Sequence, residues 1–254
     1  MRLPQHRGPY VLSEPGCNCE LMTNQPITKE PQYQRCLDLD QRKGRTSFGL
    51  MSNFVWESDP RRLLFVLARY KFVSKMLSGA GRVLEVGCAD AFGTRVVQQE
   101  VGSVTAIDFD PVFVDDVNSR RDPEWPIDCR VHDMLDGPIA EDFDGVYSLD
   151  VLEHIPADDE YRFLRNICDS LTPAGMVILG TPTAYSQEWA SPASREGHVN
   201  TKTDTQLRAT LAPHFHSVSL FSMNDEVVHT GFYPLAHYFL AVCTHKRNLE
   251  PGPD

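Results

Sequence analysis

The sequence lacks the features that define membrane, secreted and nucleic-acid-binding proteins. No apolar run approaches the roughly 20 residues that a membrane helix needs, and residues 1–20 are polar and interrupted by proline, unlike a secretory signal. Basic residues are also fewer than acidic ones. The sequence has 24 Lys and Arg against 35 Asp and Glu, which gives a formal charge of −11. Such an acidic surface repels phosphate backbones. We therefore expect a cytoplasmic protein that binds neither a membrane nor nucleic acid.

Cysteine is present, but not in the pattern of a disulfide or zinc framework. The seven cysteines are an odd number, and the C-x-C of Cys17 and Cys19 has no second pair at zinc spacing. Reduced thiols of an intracellular protein are the simpler interpretation, and a metal or disulfide role is the alternative. The 254 residues, 41% of them hydrophobic, suffice for a sizeable core.

Composition divides the chain into four parts. The N-terminal part is rich in Pro, Gln, Asn and charge and has neither helix nor strand periodicity, so an irregular arm is expected. Further on, Ser58-Asp59-Pro60 predicts the start of a helix over Arg61–Leu77. We expect the arm, a helical cap, a main domain and a tail at residues 1–45, 46–80, 81–247 and 248–254.

The main domain alternates short apolar runs with helical segments, which is typical of parallel crossover units. The expected strands are Arg82–Val86, Ser103–Ile107, Ile127–Val131, Gly145–Leu149 and Met176–Leu179. The expected helices are Phe92–Val101, Pro111–Arg120, Asp158–Leu171 and Thr203–Leu211. Two strands, His216–Phe221 and Leu235–Val242, follow without a helix between them, so one strand must be antiparallel. The pattern predicts an α/β fold: a doubly wound, seven-stranded, mostly parallel sheet with an antiparallel last strand and an N-terminal helical extension.

Small residues recur in the segment after the first strand, where a tight turn lets the backbone approach a ligand. Asp108 ends the second strand about 20 residues later, and a carboxylate there can accept from both hydroxyls of a ribose. After the third strand, Asp133 could accept from an adenine amino group and Met134 could pack on the ring. The small residues are Gly87, Ala89, Ala91 and Gly93.

Three segments resemble motifs of the class I S-adenosylmethionine-dependent methyltransferases. Val83–Ala89 (VLEVGCA) resembles their first motif, Phe143–Ile155 (FDGVYSLDVLEHI) the motif of their fourth strand, and Leu171–Met176 (LTPAGM) the turn before their fifth. The nearest group is the small-molecule branch that includes ubiquinone-biosynthesis and natural-product O-methyltransferases. The sequence departs from the pattern at Ala89 and Ala91, where the family usually has glycine, and alanine is strained wherever φ is positive.

The resemblance implies S-adenosylmethionine as cofactor and S-adenosylhomocysteine as product. It implies that Glu85 and Gly87 shape the turn around the methionine part and that Asp108 binds the ribose. The alternatives are that Glu85 only braces the turn and that Met134 is a core residue. The implied cofactor-binding residues are Glu85, Gly87, Ala89, Gly93, Asp108, Phe109, Asp133, Met134, Leu149, Asp150 and His154.

Arg69 precedes the first strand and could pair with the methionine carboxylate, although a solvated helix face is the preferred interpretation. A nicotinamide-binding sheet fits less well, because Phe92 would stand at the third glycine of G-x-G-x-x-G.

Long polar segments after the fifth and sixth strands are expected to hold the acceptor. His198 is the leading candidate for a general base, with His229 second, and Asp225 could orient a histidine or bind a substrate hydroxyl. A backbone hydrogen bond is the alternative role of His198. No metal is expected, although His198, Asp225, Glu226 and His229 are suitable ligand types.

The expected function is methyl transfer to a hydroxyl of a small molecule of the sugar or natural-product type, with a loop histidine as base. Methylation of nitrogen or of a macromolecule is one alternative, and binding of S-adenosylmethionine without catalysis is the other. The partner expected is a small-molecule substrate, and a homodimer is among the expected assemblies.

Overall fold

The computed structural model describes residues 26–231 and 233–248, which divide into two units between Thr46 and Ser47. In the first unit, a 3-10 helix over Pro31–Tyr33 leads into α1 (Gln34–Lys43). The expectation of an irregular arm is wrong for this stretch, because α1 is composed largely of good helix formers and ends at Gly44, with φ 69°. Cys17 and Cys19 lie outside the described residues.

The second unit begins with two helices, α2 (Leu50–Ser58) and α3 (Arg61–Met76). The start predicted at Pro60 is confirmed for α3. Helix α2 lies within the helical cap expected at residues 46–80, although its individual bounds were not predicted. No side chain of its own caps α2; instead the carboxylate of Asp90 accepts from Ser52 N at 2.6 Å and that of Asp116 accepts from Leu50 N at 3.2 Å. The first amides of α2 are therefore satisfied by residues distant in sequence.

Within the described residues, eight strands form one sheet in the order β3-β2-β1-β4-β5-β8-β6-β7. They are β1 (Arg82–Val86), β2 (Ser103–Asp108), β3 (Asp128–Val131), β4 (Phe143–Leu149), β5 (Leu171–Pro182), β6 (Phe215–Asn224), β7 (Val227–His229) and β8 (Tyr238–Lys246). The first five pair in parallel, and β8 lies antiparallel between β5 and β6. The doubly wound sheet with an antiparallel last strand is confirmed. The count of seven strands is wrong by one, because β7 folds back on β6 through a turn at Asp225, with φ 51°.

In the part of the chain that the structure describes, five further α-helices connect the strands: α4 (Thr94–Gln98), α5 (Pro111–Ser119), α6 (Glu160–Asp169), α7 (Pro192–Gly197) and α8 (Asp204–Leu211). Both faces of the sheet are buried, as in other parallel sheets. Leu84 and Val146 pack into the core on one face, and their neighbours Val83 and Tyr147 pack into the core on the other. No helix within the described residues is long and apolar enough to cross a membrane.

The sheet reverses its winding at β1. From β1 the chain moves outward through β2 to β3, and it then crosses back to β4 on the other side of β1. Crossover connections leave a crevice at the carboxyl ends of the strands at such a reversal, where ligands of open α/β sheets bind. The turn after β1 and the residues after β2 and β4 therefore meet at one edge of the sheet.

Candidate functional site

The turn after β1 uses backbone conformations that favour glycine. The φ angles are 76° at Gly87, 45° at Ala89 and 51° at Ala91. A Cβ at Gly87 would also lie 2.2 Å from Cγ2 of Val151, so the turn has no room for a side chain there. The strain predicted for the two alanines is therefore present, at roughly 1–2 kcal/mol each.

Asp108 ends β2 beside this turn and is almost fully buried. One carboxylate oxygen accepts from Ala89 N at 2.8 Å and the other from Asp110 N at 3.0 Å. Each oxygen keeps a second lone pair, so the carboxylate can brace the turn and still accept from two hydroxyls. The next residue, Phe109, is 72% exposed and available to cover a bound group.

Glu85 lies beneath the turn rather than facing the crevice. Its carboxylate accepts from the hydroxyl of Tyr70 at 2.7 Å and from that of Thr94, so it ties α3 and α4 to β1. Burial raises the pKa of Glu85 to about 7. Gly93 completes this junction, because a Cβ there would lie 2.3 Å from the ring of Tyr70. These contacts fit a structural role for Glu85, in which its carboxylate holds α3 and α4 against β1 beneath the turn.

Replacement of Glu85 by Gln is expected to remove a pH dependence of stability. The carboxyl titrates near 4.5 in an unfolded chain and near 7 in the fold, so the folded state holds its proton more tightly. The free energy of unfolding should therefore fall as pH rises from about 4.5 to about 7, by on the order of 3 kcal/mol. Urea denaturation of Glu85→Gln across this range should show a flatter profile than the wild type. Exposed Glu57→Gln is the control, and a profile of Glu85→Gln parallel to that of the wild type would contradict the buried acid.

Asp133 and Met134, in the segment that follows β3, differ in their surroundings. Asp133 is half-buried, and its carboxylate accepts from Leu135 N at 2.8 Å. Met134 is 3% exposed and packs in the main core with Leu84 and Val86. The carboxylate of Asp133 keeps free lone pairs for a ligand, whereas the side chain of Met134 serves as core.

Asp150 follows β4 with a left-handed backbone, at φ 58°, next to the buried Leu149. Its carboxylate accepts from Nη1 of Arg69 at 2.6 and 2.8 Å. The guanidinium carbon lies 3.7 Å from the ring centroid of Tyr238, and the Arg69 side chain is 17% exposed. The interpretation of Arg69 as a solvated helix residue is wrong, because α3 turns this face toward the ends of β4 and β8. Nε of Arg69 has no partner among the described residues.

His154 and His198 lie together, with ring centroids 5.2 Å apart. Nδ1 of His154 is 2.8 Å from the carbonyl oxygen of Gly197, and Nδ1 of His198 is 2.9 Å from Oε1 of Gln187. Burial and the neighbouring His154 lower the pKa of His198, against a smaller opposing effect of Asp150. A neutral imidazole near neutral pH is the form that can accept a proton.

Glu153 completes this cluster and was not singled out from the sequence. It is buried, and burial together with Asp150 raises its pKa to about 8. Its carboxylate accepts from Oγ1 of Thr181 at 3.1 Å. One potential ligand atom from each of Glu153, His154 and His198 lies within 4.8 Å of the others. The signal in the sequence was the pair Glu153-His154 within the motif after β4.

Asp225 and His229 lie on the β6–β7 hairpin. Asp225 is exposed in the turn, and Nε2 of His229 is 2.8 Å from Oδ1 of Asn224. Within residues 26–231 and 233–248, the potential ligands that come together are Glu153, His154 and His198. The set of His198, Asp225, Glu226 and His229 considered from the sequence forms no such group there.

Comparisons with known proteins agree with this geometry. Residues 84–179, which run from β1 to β5 and contain the turn, Asp108 and the histidine of the β4 motif, match the family model of a methyltransferase domain. This segment belongs to the class I S-adenosylmethionine-dependent methyltransferases. The methyl donor of the family, S-adenosylmethionine, is therefore the cofactor of the methyltransferase domain.

The relatives of this chain include proteins named as O-methyltransferases and as N-methyltransferases. The chain is 32% identical over 150 residues to a ubiquinone biosynthesis O-methyltransferase of Xanthomonas axonopodis pv. citri, which covers 55% of this chain and 62% of that protein. This chain thus spans less than two thirds of the length of the curated relatives that it matches.

Two solved structures share the fold at low identity. The N-methyltransferase NodS from Bradyrhizobium japonicum WM9, in complex with S-adenosylhomocysteine, is 19% identical with a TM-score of 0.55, covering 76% of this chain and 92% of NodS. An S-adenosylmethionine-dependent methyltransferase from Clostridium acetobutylicum is 10% identical with a TM-score of 0.59, covering 76% and 96%.

Proposed function

We propose that this protein transfers a methyl group from S-adenosylmethionine to a hydroxyl of a small-molecule acceptor, with His198 as general base. The observation that carries the proposal is the position of a half-buried imidazole of lowered pKa close to Asp150, at the end of the strand that the family uses beside the cofactor. The relative named as an O-methyltransferase favours oxygen as the acceptor atom.

The crevice residues suit the parts of the cofactor. Asp108 has free lone pairs for the two ribose hydroxyls, and Phe109 is exposed beside it. Asp133 can accept from the adenine amino group. Arg69, whose side chain is 17% exposed beside Asp150, is the cation that could meet the methionine carboxylate. S-adenosylmethionine supplies the electrophilic methyl, and these residues would orient it.

His198 would remove the proton that an alcohol or phenol must lose when its oxygen attacks the methyl carbon. Holding that oxygen in line with the carbon–sulfur bond supplies much of the rate in such displacements. The base must then lie within hydrogen-bond reach of the hydroxyl and be neutral before the reaction. Burial and His154 favour the neutral imidazole.

A panel of acceptors tests the proposal. Purified protein and S-adenosylmethionine would be incubated with catechols, phenols, sugars and amines, with S-adenosylhomocysteine release and acceptor mass as readouts. We expect release with a hydroxyl compound and a mass increase of one methylene unit. Turnover of amines alone would favour nitrogen methylation instead. Calorimetric binding of the cofactor without turnover of any acceptor would favour a binding protein.

Asp108→Ala should weaken cofactor binding by about 1–3 kcal/mol, because ribose hydroxyls would lose their buried acceptor. That loss corresponds to a dissociation constant roughly 5- to 150-fold higher. Calorimetric titration with S-adenosylhomocysteine measures it, and exposed Asp115→Ala on α5 is the control. An unchanged dissociation constant for Asp108→Ala would remove Asp108 from the binding site.

A divalent cation held by Glu153, His154 and His198 is the second candidate mechanism, favoured by the proximity of the three ligand atoms. Two neutral imidazoles and a carboxylate suit several divalent metals. A bound cation would lower the pKa of an acceptor hydroxyl and orient it, and His198 would then be a ligand. Dialysis against EDTA separates the two mechanisms: a rate lost and then restored by Mg²⁺, Mn²⁺ or Zn²⁺ indicates the cation, and an unaffected rate indicates the base alone.

A further inference from the structure

Both imidazoles of the site are engaged on the same ring nitrogen. Nδ1 of His154 faces the carbonyl oxygen of Gly197 at 2.8 Å. A backbone carbonyl only accepts, so the proton of a neutral His154 is on Nδ1. The absence of a side chain at Gly197 permits this approach, because a Cβ there would lie 3.2 Å from Cε1 of His154.

The partner of His198 is a glutamine amide, which can donate or accept, so its orientation decides the tautomer. Nε2 of Gln187 donates to the carbonyl oxygen of Thr183 at 3.0 Å, which leaves Oε1 directed at His198. Thr183 is itself held firmly, because its hydroxyl donates to Ala236 O at 2.7 Å and its amide donates to His237 O at 3.1 Å. The end of β5 and the segment before β8 therefore set the direction of this amide.

We infer that Gln187 is a positioning residue that holds His198 in the Nδ1–H tautomer and leaves the Nε2 lone pair for the reaction. The inference rests on the proposed function, since both a base and a metal ligand need that lone pair at Nε2. The chain of contacts runs from Thr183 through Gln187 to His198, and each step has one allowed donor and one allowed acceptor. In metal sites, partners of this kind set the tautomer and ring orientation of the histidine ligand.

Nuclear magnetic resonance can read the tautomer without any acceptor. Protein labelled with ¹⁵N-histidine would be studied at pH 8 in EDTA with S-adenosylhomocysteine, and the His198 signals identified by their loss in His198→Gln. Long-range proton–nitrogen correlations should show the proton of His198 on Nδ1 in the wild type. Gln187→Met, which keeps the length but replaces the amide oxygen by a weakly accepting thioether sulfur, should shift His198 toward the Nε2–H tautomer. Gln187→Glu, which keeps the acceptor, should retain Nδ1–H.

The matched control is Gln98→Met on α4, whose amide donates to Pro126 O; it should leave the His198 tautomer unchanged. With an acceptor from the panel, Gln187→Met should lower kcat about 10- to 100-fold at an unchanged KM for S-adenosylmethionine, and Gln98→Met should not. A wild-type proton on Nε2, or an unaltered tautomer in Gln187→Met, would overturn the inference. The expected tautomers without methyl transfer to any acceptor would refute the proposed function and leave the positioning role standing.

Discussion

His198→Ala is expected to lower kcat by about 10²–10⁴ with binding of S-adenosylmethionine intact. This factor is the contribution typical of a general base in a transition state. Cofactor binding should persist because Asp108 and Arg69, the residues proposed to bind the cofactor, belong to other elements. S-adenosylhomocysteine release with the acceptor found in the panel gives kcat, and calorimetry gives cofactor affinity. If kcat and the cofactor affinity fall together, the substitution has disturbed the crevice as a whole.

The control for this substitution is His216→Ala, an exposed histidine on β6. It should leave kcat within experimental error of the wild type. A His198→Ala variant with wild-type turnover would eliminate His198 both as base and as metal ligand. The hydrogen bond from His198 to the side chain of Gln187 would then be a structural loop contact, whereas the alternative expected from the sequence was a bond to loop backbone.

Gly87→Ala should destabilise the fold and weaken cofactor binding. The left-handed backbone at φ 76° costs alanine roughly 1–2 kcal/mol. The new Cβ would also lie 2.2 Å from Val151, and overpacking of this kind costs about 1–3 kcal/mol more. Urea denaturation measures the loss of unfolding free energy, and calorimetry measures the cofactor affinity.

Gly79→Ala separates these two costs. Gly79 also has a left-handed backbone, with φ 87°, but a Cβ there would meet nothing within 4 Å. It should therefore lose only the conformational part, and the difference between the two variants reports the contact with Val151. Equal losses for the two variants would mean that Val151 moves aside without cost.

Most strands could be predicted because each is a short apolar run bounded by turn residues. The antiparallel β8 also followed from the sequence, since two strands with no helix between them cannot both be parallel to the rest. The hairpin strand β7 was missed because it has only three residues, Val227–His229, too few for a periodic pattern. The start of helix α2 was not predicted within the expected helical cap, because its first amides are satisfied by Asp90 and Asp116, which are distant in the chain.

Some residues of the site could be predicted and others could not, again because only features with a local sequence signature can be recognised in the sequence. Asp108 and Gly87 were identified because the turn and the end of β2 have local signatures. Arg69 was assigned to solvent because helical spacing does not reveal that Tyr238 and Asp150 cover it. Gln187 had no signal at all, since its role depends on the directions of two hydrogen bonds.

By itself, the sequence determined that this protein has a doubly wound sheet with a tight turn and an acid at adjacent strand ends, because hydrophobic periodicity and turn chemistry are local properties of a chain. Only the tertiary structure decided which polar residues meet. It brought His198 to His154 and Glu153, and it buried Arg69 against Tyr238. These contacts depend on the paths that the loops take over the sheet. Packing and hydrogen-bond geometry determine those paths, and they cannot be read from the spacing of residues in the sequence.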